Sequence, residues 1–328
     1  MKKNIFVDGQ AGTTGLQIIS RLEIREDINL IKVNDKDRKN IEVKKSILND
    51  ADVVILCLPD TAAKESVSLI SNSTVKIIDA STAHRTNPDW VYGLPELNKK
   101  QRELIQHSKR VSNPGCYSTG FLLAVAPLVS LGIIPETTPL SVHAVSGYSG
   151  GGKKMIEQYQ QEYIGSQSNE YACRPYALTM EHKHLPEMKK YSALQSTPIF
   201  SPSVASFEQG MLVSIPLHGS IVNKQNLSKS VSNHKNDSVA EQLFNILSNY
   251  YGNEKFIAVH PPTSTQNLQD GFLSPLACNG TNRVDLFVFG DNQRIQIVAR
   301  LDNLGKGASG AAIQNLNLMI GVEEERGL

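Results

Sequence analysis

Hydrophobic and polar positions along the chain change rhythm near residue 115. Before it, short apolar runs alternate with segments of helical spacing. Residues 4–8 (NIFVD) are one such run, and LQIISRLEIRED then repeats Leu16, Ile19 and Leu22 at helical intervals. INLIKVND (28–35), ADVVILCLP (51–59) and VKIIDAS (75–81) read as further strands. The run at 51–59 is apolar at almost every position, as a parallel strand covered on both faces requires. This alternation predicts an α/β fold with a Rossmann-type, doubly wound parallel sheet.

Beyond residue 115, GFLLAVAPLVSLGI (120–133) predicts a buried helix. PLSVHAVSGYSG (139–150), GMLVSIPLH (210–218), KFIAVHP (255–261), RVDLFVFGD (283–291) and RIQIVARLDN (294–303) read as strands. Several alternate polar with apolar, which predicts an α+β domain whose sheet is mostly antiparallel. The polar stretch 223–240 reads as a loop leading into a helix, and GASGAAIQNLNLMIGV (307–322) as a small-residue turn and a last helix. The expected division is a dinucleotide-binding domain from 1–115 with 303–328, and a catalytic domain over 116–302.

With 328 residues, 40% hydrophobic, 20% charged and a formal net charge of +1, the chain suits two globular domains. It carries no basic block that would draw it to nucleic acid or anionic lipid. No stretch reaches the roughly 20 apolar residues that span a bilayer, and Ile5-Phe6-Val7 is too short for a signal peptide. Four cysteines without a CxxC pair argue for free thiols and a cytoplasmic setting.

Gly9, Gly12 and Gly15 follow the first strand and open the first helix. A cofactor phosphate there meets backbone N–H groups and the positive helix end, with Thr13 and Thr14 as hydroxyl donors. Pro59 and Ser81 lie at strand ends, where this fold opens its ligand crevice. After the second strand, Lys36, Arg38 and Lys39 stand beside two aspartates and favour the 2′-phosphate of NADP over NAD.

The sharpest chemical signal is SNPGCYSTG (112–120). Asn113-Pro114-Gly115 is turn chemistry, and Cys116 follows where the apolar helix begins, a place that favours thiolate. Cys57 and Cys278 read instead as inert core thiols. EHKHLPE (181–187) offers His182, His184 and Glu187 for proton transfer; read as extended chain, the two imidazoles face one side. Two imidazoles and one carboxylate without a third cluster argue against a metal. For anion binding, Arg85 in DASTAHRT (79–86) and Ser146 in SGYSGGGKK (146–154) are the candidates.

GQAGTTG, LCLPD, DASTAHRT, YGLPELN, SNPGCYSTG, VSGYSGGGK, EHKHLPEM and DNLGKGASGAAIQNLNLM run from residue 9 to about 319. Together they resemble the shorter class of the N-acetyl-gamma-glutamyl-phosphate reductase family, within the semialdehyde dehydrogenase superfamily. The resemblance implies an arginine-biosynthesis enzyme that reduces an acyl phosphate with NADPH through a thioester on Cys116. It implies an acid/base histidine in the EHKH segment, His184 first and His182 second. It implies a cofactor contact at Gly305. Arg85, Ser146, Glu187, which can also orient an imidazole, and Asn113 are the candidate substrate contacts, and a homo-oligomer, dimer or tetramer, built by the second domain is expected. The nearest alternative is an aspartate-semialdehyde dehydrogenase. A non-catalytic redox sensor is an alternative of another class, and it has no need for Cys116 and a histidine together.

Overall fold

A computed structural model describes residues 2–34, 40–165, 170–230, 237–263 and 265–328, with the side chains of 162–165 outside that description. The chain divides into two compact units, residues 1–115 with 308–328, and residues 116–307.

The first unit is built on β1 (Lys3–Asp8), α1 (Thr13–Glu23), β2 (Ile28–Ile31), α2 (Ile41–Asp50), β3 (Val53–Leu56), α3 (Asp60–Ser68), β4 (Lys76–Asp79), β5 (Val91–Tyr92), α4 (Gln101–His107) and β6 (Arg110–Ser112). The strands form one all-parallel sheet in the order β2-β1-β3-β4-β6-β5. Alternate side chains of each strand feed separate cores on the two faces. Ile5, Val7, Ile55 and Ile78 pack with Ile18 and Leu22 of α1 and Ile105 of α4. Phe6, Val54, Leu56 and Ile77 pack with Leu48 of α2 and Ala63 of α3.

The second unit contains α5 (Cys116–Ser130), β7 (Ser141–Gly147), α6 (Gly152–Gly165), β8 (Cys173–Pro175), α7 (Leu185–Ser192), β9 (Ile199–Ala205), β10 (Met211–His218), α8 (Lys224–Ser230), α9 (Val239–Tyr250), β11 (Ile257–His260), the β12–β13 hairpin (Leu268–Gln269, Phe272–Leu273), β14 (Val284–Gly290) and β15 (Arg294–Leu301). Its seven-stranded sheet runs β11-β14-β15-β10-β7-β9-β8. Four of its six pairings are antiparallel, and β11–β14 and β7–β9 are parallel. A last helix, α10 (Gly310–Ile320), returns the chain to the first unit, where Ala312, Ile313 and Leu316 join the core beside α1.

Helix α5 is buried along nearly its whole length, Tyr117 to Val129, so no amphipathic rhythm marks it. Pro127 sits inside it and supplies no N–H for the Leu123 carbonyl. The buried Tyr251 hydroxyl donates to that carbonyl at 2.8 Å and restores the missing bond. Helices 152–165 and 224–230 and the strands β8 and β9 were not legible from periodicity.

One buried ionic cluster crosslinks the second sheet. Asp285 on β14 faces Arg300 on β15 in the cross-strand register. Arg300 donates from Nε at 3.1 Å and Nη2 at 2.5 Å to Asp285 Oδ2, and Arg283 Nε lies 3.0 Å from Oδ1. Burial alone would raise the Asp285 carboxyl, but His260 Nε2 at 3.3 Å, the hydrogen bonds from Arg300 and the nearby guanidinium charges outweigh it and hold it well below the ordinary range. Because the folded-state pKa is depressed, this stabilisation is complete above the ordinary value of 3.8 and is lost as pH falls below it. Arg300→Leu removes the buried partner of Asp285 and leaves its carboxylate to Arg283, which is half-exposed, and His260. Urea unfolding at pH 7 is expected to show a loss of about 3–5 kcal/mol, shrinking as the pH is lowered through 4.

Candidate active site

Cys116 is the first residue of α5, half-buried, with Asn113-Pro114-Gly115 directly before it in sequence. The thiol therefore stands at the positive end of a helix, where unsatisfied N–H groups favour its anion. The other cysteines behave differently. Cys57 is half-buried against the sheet core, and desolvation with the charges of Asp79 and Asp8 pushes its thiol up to about 12. Desolvation beside Asp285 also raises Cys278, while Cys173 is exposed at a sheet edge.

A glycine the sequence reading overlooked fixes the space around Cys116. A Cβ on Gly307 would lie 2.7 Å from Cys116 Cβ and 3.3 Å from its Cα. Gly307 belongs to a π-helical turn, Gly305–Ser309, and its N–H donates to Asp302 O at 2.9 Å. Asp302 anchors that turn: its carboxylate accepts from Gly280 N at 2.8 Å and Leu304 N at 2.9 Å. Asn303 beside it accepts from Gly210 N at 2.7 Å and donates to Ser149 at 3.0 Å. Gly305, expected at the cofactor, packs within the second unit, where a Cβ would strike the Thr281 carbonyl at 2.3 Å.

Tyr117, the second residue of α5, gathers the aromatic wall. Its ring lies 5.6 Å from His182, 5.7 Å from His184 and 5.1 Å from Phe200. Its hydroxyl accepts from Tyr176 at 3.0 Å and bonds Ser146. Desolvation first, then the neighbouring Tyr176 and Cys116, raise the Tyr117 phenol well above its ordinary value, so it stays protonated. Helix α7 packs on α5, and Ser118 Oγ donates to the His184 carbonyl at 3.4 Å.

The EHKH segment is a turn entering α7, not the extended chain expected, with His184 as the helix N-cap residue. The imidazoles still meet, rings perpendicular and 4.7 Å apart, because the chain folds back between them. The two rings are not equivalent. The backbone N–H of His184 donates to His182 Nδ1 at 3.1 Å, so that nitrogen bears no proton and the hydrogen sits on Nε2, 3.4 Å from the Tyr176 hydroxyl. Glu187 is buried in the first turn of α7.

In the first unit, Gly9 (φ +97°) and Gly15 are demanded by the chain itself. A Cβ would meet Cys57 O at 2.2 Å and Gly9 O at 2.3 Å respectively. At Gly12, the N-cap of α1, the nearest atom is 3.6 Å away, so internal packing does not require glycine. No side chain caps that helix end, leaving first-turn N–H groups at Thr13, Thr14 and Gly15 for an external anion. Beside the loop lies a cavity of about 270 Å³ lined by Phe6, Asp8, Gln10, Val33, Lys44 and Leu58, among others. Lys44 pairs with Asp8 across it at 2.9 Å. Arg38 and Lys39 lie outside the described residues.

Pro59 is the N-cap of α3, and Ser81 is buried, its hydroxyl on Asp79 at 2.7 Å. Arg85 is buried with Nη2 on Ala80 O at 3.1 Å. Its loop is pinned by His84, which holds Asp79 at 2.6 Å and stacks on Trp90. Asn113 is committed to bracing: Nδ2 donates to Ala308 O at 2.9 Å and Oδ1 accepts from Asn315 at 3.0 Å. Thus the expected residues fall into two groups. Cys116, Ser146, His182, His184, Glu187 and Gly305 belong to the second unit, and Arg85, Asn113, Pro59, Ser81 and the glycine loop to the first.

Comparison with known proteins follows the same partition. Residues 4–105 match the model of the semialdehyde dehydrogenase NAD-binding domain, and residues 116–303 that of the semialdehyde dehydrogenase dimerisation domain. An N-acetyl-gamma-glutamyl-phosphate reductase 2 from Nostoc sp. is 50% identical, over 100% of this chain and 99% of the relative. An N-acetyl-gamma-glutamyl-phosphate reductase from Rhizobium meliloti is 42% identical, over 98% and 99%. Among solved structures, aspartate semialdehyde dehydrogenase II from Vibrio cholerae, complexed with ASA, superposes with a TM-score of 0.73 at 16% identity, covering 98% of this chain and 99% of that one.

Two measurements probe this geometry. Gly307→Ala is expected to lower kcat/KM about 100-fold and urea stability by about 1–3 kcal/mol, since the added methyl must displace Cys116 and the Asp302 carbonyl by a fraction of an ångström. Iodoacetamide at pH 8 is expected to label Cys116 and Cys173 in the folded protein. A thiol near 12 is ionised only about once in 10,000 molecules there, so Cys57 should label only after denaturation, as peptide mapping would show.

Proposed function

The chain belongs to the N-acetyl-gamma-glutamyl-phosphate reductase family of semialdehyde dehydrogenases, and from that premise we propose that it converts N-acetyl-L-glutamyl 5-phosphate to N-acetyl-L-glutamate 5-semialdehyde and phosphate, with NADP as cofactor, in arginine biosynthesis. The observation that carries the reading is Cys116 at the head of a buried helix, with Tyr117 and two imidazoles gathered in the same unit.

The residues present fit a dinucleotide. Gly9, Gly12, Thr13, Thr14 and Gly15 would hold its phosphates, and the absence of any internal reason for glycine at position 12 is what a close external anion explains. Pro59 and Ser81 are proposed to border it. Lys36, Arg38 and Lys39 support NADP over NAD by charge alone. When bound, the dinucleotide supplies hydride to the acyl carbon.

The Cys116 thiolate attacks that carbon, and the C–O bond to phosphate breaks with its electron pair leaving on phosphate. Arg85 is the proposed phosphate ligand. The helix-start N–H groups beside Cys116 steady the negative oxygen. His184 handles the proton as the aldehyde departs and the thiolate returns. His182 is the poorer base, because its Nδ1 is already occupied by a backbone N–H and protonation there would set two N–H groups against each other. Glu187 and Ser146 are proposed to orient imidazole and substrate. The match of 116–303 to a dimerisation domain supports a homo-oligomer, dimer or tetramer. Among the described residues no helix is long and apolar enough to cross a membrane.

The full-length relatives favour the acetylglutamyl substrate over aspartate semialdehyde, and a thiol–imidazole pair is superfluous in a redox sensor. With N-acetyl-L-glutamate 5-semialdehyde, phosphate and NADP, the wild type is expected to reduce NADP only when phosphate is present. NAD and aspartate semialdehyde should be poor replacements. Cys116→Ser should lower the rate about 1000-fold or more. Reduction independent of phosphate, or survival of activity in Cys116→Ser, would sink the reading.

A further inference from the structure

The second unit contains a cation held in an aromatic enclosure that the reaction above leaves without a task. Arg174 lies on the edge strand β8. Its guanidinium carbon sits 3.8 Å over the Tyr171 ring and 4.9 Å over Tyr159, and its Nε donates to the Tyr159 hydroxyl at 3.3 Å. Tyr159, 1% exposed, stacks in turn on Tyr148 at 4.8 Å, and Gln158 fixes the Tyr171 hydroxyl at 3.0 Å. Ordering an arginine this thoroughly removes side-chain freedom that a ligand would otherwise have to remove. Among the described side chains no carboxylate meets this half-buried charge.

Register places the group relative to the nucleophile. Residues paired across strands share a face. Arg174 pairs with Val204, and Val204 with Ser146, while the Tyr176 N–H continues the ladder by donating to Pro202 O at 3.0 Å. Arg174 therefore stands on the face that carries Phe200, Tyr176 and Ser146. It lies two strands, about 10 Å, from Ser146, which bonds the hydroxyl of Tyr117 next to Cys116. By contrast Lys153, near the same loop, is exposed and already 3.7 Å from Glu157.

On the functional reading above, the substrate has two anionic ends, the acyl phosphate that Cys116 attacks and an α-carboxylate beyond a short carbon chain. We propose that Arg174 binds that α-carboxylate through its guanidinium fork, and so determines specificity for an amino-dicarboxylic acyl chain over an uncharged one. The Tyr159 hydroxyl takes Nε and the Tyr171 hydroxyl a second N–H, and the remaining N–H groups of the guanidinium make the contact with the carboxylate.

The test compares two aldehydes in the phosphate-dependent direction: N-acetyl-L-glutamate 5-semialdehyde and 4-acetamidobutanal, which lacks only the carboxylate. Wild type should prefer the first by about 100-fold in kcat/KM. Arg174→Met should abolish the preference, mainly through KM, while keeping kcat/KM for 4-acetamidobutanal within about threefold. Arg174→Lys, which keeps charge but not the fork, should recover part of the ratio and serves if the Met variant fails to fold. An undiminished preference in Arg174→Met, or equal losses on both aldehydes, would overturn the assignment while leaving the functional reading standing. A wild type inert toward both aldehydes would overturn the functional reading and this assignment together.

Discussion

Backbone packed against Cys116, the proposed nucleophile, is the constraint on which the second unit depends. Gly307 lies so close to Cys116 that no side chain fits between them, and the two residues are 191 positions apart in the chain (307 − 116). Holding that approach requires the turn 305–309 to be rigid, and Asp302 and Asn303 make it so by bonding to three separate segments, at Gly280, Gly210 and Ser149, and to Leu304 at the entry to the turn itself. The buried helix α5 supplies the other half of the vice. Its head cannot drift because its flank, from Tyr117 to Val129, is enclosed by apolar neighbours. A thiol held this firmly meets its substrate in one orientation, which is where much of the rate of such an enzyme originates.

Within that vice the residues divide their labour by hydrogen-bond inventory. Two histidines two positions apart look interchangeable in a sequence, yet the backbone already occupies Nδ1 of His182. Three cysteines besides Cys116 are distinguished by environment: Cys57 is half-buried and Cys278 buried, both near carboxylates, and Cys173 is exposed at an edge strand. What makes a side chain chemically competent here is the set of partners it has already accepted.

The first unit was legible because its physics is local. A strand buried on both faces must be apolar, and Gly9 and Gly15 must be glycine because the chain touches itself there. Cys116 was legible because a turn leads into an apolar helix. What stayed hidden depended on distant contacts. Gly307 looks like any other glycine in a small-residue run until the fold brings Cys116 to it. β8 and β9 carry prolines and serines that blur the period of two, and the polar helix α6 follows a glycine run that reads as a loop. The turn at EHKH escaped because two histidines one residue apart fit a strand equally well. Asn113 was expected near substrate, whereas its amide braces the start of the last helix.

The Asp285–Arg300 pair has a consequence for how this protein changes over time. Neither residue can be exchanged alone without leaving a charge poorly compensated inside the sheet, yet both together could give way to packed apolar groups at little cost, since the half-exposed Arg283 can turn to solvent. Descent from one solution to the other must therefore cross an intermediate that folds poorly. Lineages are trapped on whichever side they began, and the pair persists by the depth of the valley around it, whatever it contributes to activity.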